Sequence, residues 1–408
     1  MAKEKDGKGS EVCAFLGTFP PKECGIATFT KDLTDSIAKY SNPVAPKIVA
    51  VSEEGSSYEY GNDVILNVNR DNIIDYFNAA KKINSSDKIQ LVCIQHEYGI
   101  FGGMDGDYLI AFFETIKKPI AITFHSVIPV PDASIDRVTK YLVAKADAII
   151  VTAKEAINIL KQDYNADEKK IHVIYHGIPN VEFQDTSIMK SRLGLDNKIV
   201  LSTFGLLNEE KGIEYMIQAL PELVKKYPNI VYQIIGQTHP MARKEEGEAY
   251  RELLINLVKD LGLESNVIFQ NRFLTLQEIL DNLLATDIYI FTNLDYNQIS
   301  SGTLSYAMGC GKAIVATPVA YAKEILADEK GILVGFKNPQ SYTEAIEKIL
   351  VDKELRSRLE KNCYGFSRQM IWPSVAKSYL KVFDDLIKGK ESEISLVKEM
   401  QTPSTYSI

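Results

Sequence analysis

The densest set of groups able to hold an anion is Asn297-Gln-Ile-Ser-Ser-Gly-Thr-Leu-Ser-Tyr306, which opens a helical segment just past the apolar run 287–292. Small residues let backbone N–H groups approach a ligand, and a helix N-terminus attracts negative charge. Ser300, Ser301, Gly302 and Thr303 therefore read as a cradle for a diphosphate. They read equally as an ordinary capped helix, because Ser and Thr favour that place for local reasons. Lys211 stands with Gly212 at the start of an amphipathic segment after the run 199–204. A cation there offsets charge on a departing diphosphate, or is merely solvated. Gly25 and Ile26 follow the run 12–16 and open the first helix, where a phosphate or sugar can touch the backbone. Without a Gly-x-Gly-x-x-Gly run the same glycine also fits a tight turn.

Three of the five histidines, His96, His125 and His176, stand just past strand-like runs, at the edge where α/β proteins build sites. Each alone suits packing or capping; three together mark a site. His96 leads into Glu97-Tyr-Gly-Ile-Phe-Gly-Gly103, which adds Tyr98 and Phe101 to the candidates. His239, in Gly236-Gln-Thr-His-Pro240, stands past a run in the second half and is a candidate there. Asp105-Gly-Asp107 has the spacing of a metal-binding pair, but its place ahead of a helix reads as a cap, and no metal is assigned.

The elements that must position these residues alternate from end to end. Strand candidates are 12–16, 47–51, 64–66, 91–95, 120–124, 148–151 and 172–174, with helices at 27–40, 72–83, 132–145 and 154–162 between them. The rhythm restarts with strands at 199–204, 230–235, 267–269, 288–291, 313–316 and 332–334. Continuous apolar runs, rather than strict alternation, predict strands buried on both faces of a parallel sheet under helices. Ile213, Met216, Ile217, Leu220, Leu223 and Val224 form one apolar stripe after Lys211. The fold class is α/β: two doubly wound, Rossmann-like domains facing each other across a cleft. The expected domains are 10–182 and 195–370, with a polar linker inside 179–196. A last helix at 371–389 packs back toward the first domain, and a mobile tail at 390–408 follows.

Composition sets the outer limits. At 408 residues, two domains are the natural reading. A net charge of −8 argues against a nucleic-acid partner, whose phosphates reward a basic surface. No stretch approaches the about 20 apolar residues that cross a bilayer, and residues 1–11 lack a signal-peptide core. The chain therefore reads as cytoplasmic. Five scattered cysteines without a close pair signal neither a disulfide framework nor a zinc site. Membrane association stays open but is not signalled, since no basic amphipathic helix argues for it.

The second half resembles the donor-binding domain of the family-four retaining glycosyltransferases through residues 205–211, 230–236, 267–273, 287–292 and 297–318. The first half agrees in its glycine loop, His125, Lys145-Ala-Asp-Ala-Ile-Ile-Val-Thr and Val173-Ile-Tyr-His-Gly-Ile-Pro. The resemblance implies a GT-B fold and transfer of a hexose, with retention, from a nucleoside diphosphate sugar to a hydroxyl acceptor. That acceptor is a carbohydrate or a lipid-linked one, as in polysaccharide biosynthesis. No cofactor beyond the donor substrate is implied, and no obligatory metal, because Lys211 and helix amides stand in for one.

Carried over by position, Gly25, Ile26, Gly205, Ser300, Ser301, Gly302 and Thr303 lie by the donor diphosphate, with Lys211 on it. His125 lies near the donor sugar, Arg272 and Phe273 near the nucleobase, His239 on the donor side, and His96, Tyr98 and Phe101 on the acceptor side. The family places glutamates where this chain has Gln298 and Tyr306, and an arginine at Leu206. Gln298 still hydrogen-bonds a sugar hydroxyl, and the Tyr306 hydroxyl replaces a ribose contact. Together with Gly-x-Thr-His-Pro this pattern resembles a divergent bacterial branch. The alternatives are a nucleotide-sugar epimerase or glycoside phosphorylase on the same scaffold, or a non-catalytic nucleotide-sugar-binding protein.

Overall fold

The computed structural model describes residues 12–40 and 46–401. The apolar runs of the first half form β1 (Val12–Gly17), β2 (Lys47–Ser52), β3 (Val64–Asn69), β4 (Ile89–His96), β5 (Ile120–Phe124), β6 (Ala148–Val151) and β7 (Ile171–Val173). They pair in parallel in the order β3-β2-β1-β4-β5-β6-β7. Every residue of β5 and β6 is buried, as expected where helices cover both faces.

The helix Gly25–Tyr40 lays Phe29, Leu33 and Ile37 onto this sheet from one stripe. The last helix, Trp372–Gln401, joins it through Val375, Tyr379 and Phe383. The Phe15 and Phe383 rings meet edge-on at 6.0 Å, and the Tyr379 hydroxyl lies 3.0 Å from that of Thr123. That helix runs to Gln401, past the end expected at 389; residues 402–408 of the expected tail lie outside the described residues.

The second half repeats the plan with β8 (Ile199–Phe204), β9 (Ile230–Ile235), β10 (Val267–Gln270), β11 (Ile288–Phe291), β12 (Ala313–Ala316) and β13 (Ile332–Leu333). The order is β10-β9-β8-β11-β12-β13, again parallel. The stripe expected after Lys211 forms the helix Ile213–Lys226, whose Ile213, Met216, Ile217, Leu220 and Leu223 are buried.

The chain divides into one unit ending at Gly177 and resuming at Trp372, and a second unit, Ile178–Ile371. The stretch 179–196, expected to be an irregular linker, holds the helix Thr186–Leu193 within the second unit. Asp185 caps its start and Gly194, at φ 69°, ends it. It buries Met189 alone, so it leaves no periodic trace in the sequence. Asp287 holds it in place: its carboxylate accepts from Thr186 and Lys190, and also from Arg356 and the Val200 N–H.

In both sheets the winding direction reverses once, between β1 and β4 and between β8 and β11. Loops leaving the carboxyl ends of those strands diverge and open a crevice, the usual ligand position in such sheets. Among the described residues no helix is long and apolar enough to cross a membrane.

Candidate active site at two sheet edges

In the second unit the loops after β8 and β11 meet at the reversal point. Past β11, Thr292 donates its hydroxyl to the Lys211 carbonyl, and the Leu294 N–H donates to the Glu210 carbonyl at 2.8 Å. Gly212 sits at φ 57°, and a Cβ there would stand 2.8 Å from the Thr292 carbonyl. Only glycine permits this approach, so the lysine loop is bolted to the end of β11. Burial lowers the pKa of Lys211, against the pull of the Glu210 carboxylate.

Ser301 is the N-cap of the helix Gly302–Gly309, its Oγ accepting from the Leu304 N–H at 3.3 Å. Among the described residues no acceptor meets the N–H groups of Gly302 and Thr303. Gly205, at φ 137°, passes so close that a Cβ there would lie 3.3 Å from the Thr303 methyl. Gly205 thus lies against the 301–303 turn, and the Lys211 loop is tied to the end of β11 that leads into it. Two open amides and a lysine loop at one edge can hold an anion.

A third loop closes on them. The Leu207 N–H donates to the Gln237 carbonyl, and the His239 N–H returns a bond to the Leu207 carbonyl. Gly236 permits the crossing, since a Cβ there would stand 2.1 Å from the Gly205 oxygen. His239 Nδ1 accepts from the Met241 N–H at 3.2 Å, so its neutral ring carries the proton on Nε2. Burial, then the positive charge of Lys211, lowers its pKa.

Other second-unit candidates have defined employment of their own. Gln298 accepts from Asn293 Nδ2 at 2.9 Å and donates to the Ser300 carbonyl at 2.8 Å, spanning the loop ahead of the cradle. Tyr306 is 9% exposed, its ring 6.3 Å from that of Phe204, so little of it is open to a ribose. Arg272 pairs with Glu278 at 2.7 Å, while Phe273 is exposed beyond β10.

In the first unit, His125 follows β5 and is buried. Its Nε2 lies 2.9 Å from Gln95 Oε1, whose amide nitrogen turns toward Thr123 and Cys93. The proton therefore sits on Nε2, and Nδ1 is left as an acceptor. Burial, with the neighbouring His176 and His96, drives the His125 pKa down to about 3. Phe29 bridges the cluster, 4.7 Å from the His125 ring, 5.1 Å from that of His176 and 5.2 Å from that of Trp372.

His96 departs from its expected place. β4 runs one residue further than its apolar pattern suggests and turns this ring into the interior, at 0% exposure among Tyr98, Phe101 and Phe124. His96 and Phe101 are interior packing, which leaves Tyr98 partly exposed, its hydroxyl 2.9 Å from that of Thr139. Gly25 is exposed, and a Cβ there would meet nothing within 4 Å; the fold itself does not require glycine at this position. Ile26 beside it is half-buried. Asp107 stands at the N-cap position of the helix Tyr108–Thr115 but does not cap it; its carboxylate accepts from the Met104 N–H and pairs with Arg137.

The sequence reading passed over Glu97. It follows β4, accepts from Ser126 Oγ at 2.7 Å and from the Tyr98 N–H at 3.0 Å, and burial raises its pKa. A single carboxylate after a strand has no distinguishing pattern; only the pairing with Ser126 across β5 marks it.

Residues 184–366 match the family model described as Glycosyl transferases group 1, and residues 25–180 match the model Glycosyltransferase Family 4. Sucrose-phosphate synthase from Thermosynechococcus elongatus is similar in structure, with TM-score 0.75 and 17% identity, over 93% of this chain and 100% of that one. Anabaena HepE, solved with UDP, gives TM-score 0.72 and 17% identity over 91% and 99%. The fold is therefore GT-B, two parallel-sheet α/β domains of the glycosyltransferase type. Between them the two models span most of both units. An uncharacterized glycosyltransferase of Methanocaldococcus jannaschii is 28% identical over 254 residues, 61% of each chain. The chain spans about six tenths of the length of the curated relatives it matches.

Proposed function

We propose that the chain is a glycosyltransferase that moves a hexose from a nucleoside diphosphate sugar to a hydroxyl acceptor with retention of configuration. One observation carries the donor side: the Lys211 loop and the open amides of Gly302 and Thr303 converge at a single sheet edge. As the bond from sugar C1 to the diphosphate breaks, negative charge grows on the leaving oxygens. A lysine and preorganised amides oppose that charge without reorganising. They supply the field that such chemistry otherwise takes from a divalent metal. The leaving diphosphate oxygen takes the proton of the incoming hydroxyl as the new C1–O bond forms, so no protein carboxylate is required as base. The Nδ1 lone pair of His125 accepts from a sugar hydroxyl.

UDP in the similar HepE structure supports a nucleotide-sugar donor, and the two family matches support glycosyl transfer. The hydroxyl acceptor, a carbohydrate or lipid-linked one, belongs to the histidine edge of the first unit, beside Tyr98 and Glu97.

The test is a melting-temperature screen against UDP, GDP and their hexose conjugates, since a ligand that binds only the native state raises the melting point. Product analysis with and without added sugar acceptors follows. Transfer dependent on an acceptor supports the reading. Turnover of donor alone to an epimer, dependence on inorganic phosphate, or binding without turnover contradicts it.

A further inference from the structure

A cavity lies in the C-terminal unit apart from the anion cradle; of its lining residues only Arg272 is expected on the donor side, and its guanidinium is tied to Glu278. It measures about 200 Å³ and is bounded by Gln233 of β9, Gln270 at the end of β10, Arg272, Leu193, and Glu278, Asp281 and Asn282 of the helix Leu276–Ala285. Gln233 is 4% exposed, and its Oε1 has no hydrogen-bond partner. A carboxamide placed on a central strand with an empty acceptor is unfavourable unless something donates to it.

The other polar groups of the cavity are largely committed to one another. Gln270 Nε2 donates to Asn282 Oδ1 at 2.9 Å, and Asn282 Nδ2 donates to the Glu278 carbonyl at 2.8 Å. Glu278 takes Arg272 on one oxygen and Thr275 on the other. Asp281 Oδ1 accepts from Gln277. These contacts occupy the Gln270 and Asn282 amides, while Gln233 Oε1 remains without a donor. A ligand that completes the site must bring O–H or N–H groups.

Charge narrows the class. One arginine and two carboxylates line the cavity, and the arginine is already paired, which disfavours a phosphate or carboxylate ligand. The buried groups, Gln233 and Asn282, are neutral amides, which suit hydroxyls better than an ammonium ion needing a desolvated carboxylate. The volume suits a monosaccharide, below the size of ordinary drug-like ligands.

We propose that this cavity is a second, non-donor site for a neutral hydroxyl-rich ligand of monosaccharide size, held by the Gln233 carboxamide. The site is independent of the transferase reading and survives its failure. The probes are D-glucose and D-mannose, followed by saturation-transfer NMR on the full chain, with inorganic phosphate as the anionic control. One of the two sugars binds saturably and phosphate does not. UDP at saturation leaves that binding in place. Gln233→Leu weakens the sugar by about tenfold or more. Leu193→Trp, a change at an exposed wall, fills the cavity and blocks the sugar even if the Gln233 variant folds poorly. Absence of saturable binding of both sugars, displacement by UDP, or unchanged affinity in Leu193→Trp overturns the proposal and leaves the cavity to water.

Discussion

The Thr292 hydroxyl at the end of β11 donates to the carbonyl of Lys211, so the lysine loop and the strand that launches the 301–303 turn move as one piece. The bond runs through the backbone of the lysine and does not engage its ammonium group. Thr292→Val keeps the shape and removes the donor. It should cost about 1 kcal/mol of stability and weaken UDP binding several-fold, read by urea unfolding and calorimetry.

Gly205→Ala tests the close approach of that loop to the turn. The added methyl would lie 3.3 Å from the Thr303 side chain at a φ of 137°, where alanine is strained. Loss of about 1–3 kcal/mol is expected, with weaker UDP binding in whatever fraction remains folded.

Gln298→Glu separates this chain from the pattern that its family resemblance would predict. A carboxylate still accepts from Asn293 but has no proton for the Ser300 carbonyl, and the two oxygens repel. The variant should be less stable by about 1–2 kcal/mol, read by urea unfolding, without gaining transfer activity. A stable variant with higher turnover would show that glutamine is only tolerated there.

The histidine cluster fixes the pH dependence of the first unit. Burial holds His96 and His125 down to about 3 and His176 to about 4, against 6.5 when unfolded. Unfolded rings therefore bind protons at a higher pH than folded ones. Their stabilisation is complete above about pH 6.5 and is lost as pH falls toward about 4 for His176 and about 3 for His96 and His125, at no more than about 1.4 kcal/mol per unit for each ring. Asp32 opposes one of them. Burial, then Asp35, raises its pKa to about 6, so its contribution is present below 3.8 and lost as pH rises through about 6. Urea midpoints from about pH 7.5 to pH 5 should fall, and more steeply in Asp32→Asn, which should also be more stable at neutral pH. A midpoint independent of pH would contradict the neutral, buried cluster.

His96→Phe follows from the same packing. Both ring nitrogens are buried without partners among Tyr98, Phe101 and Phe124. A phenyl ring fills the same cage with no polar atom to satisfy, so stability should rise by about 1 kcal/mol and the acid sensitivity should lessen. Lower stability at neutral pH would mean that the imidazole has a partner after all.

Most strands were legible because they are near-continuous apolar runs, β5, β6, β11 and β12 above all, and the reversal points lie between β1 and β4 and between β8 and β11. The lysine and the Ser-Ser-Gly-Thr turn were legible because backbone-accessible residues at a strand end leave few other uses. What the sequence hid depends on side-chain pairings that no periodic pattern marks. Asn293 is what commits the Gln298 amide, and Ser126 is what gives Glu97 its place. His96 could not be told from a residue beyond its strand, because one added strand residue reverses the side on which a ring lies. The helix Thr186–Leu193 is held by the Lys190–Asp287 ion pair and the Thr186 hydrogen bond rather than by an apolar stripe, so periodicity passed over it.

The central claim, that Lys211 and the amides of the 301–303 turn bind a diphosphate, is tested most directly by titrating UDP into the wild-type chain and into Lys211→Ala by calorimetry. The account predicts a folded variant whose UDP affinity is lower by about tenfold or more, with the loss confined to the diphosphate and absent for uridine. Equal UDP affinity in the two proteins would contradict it.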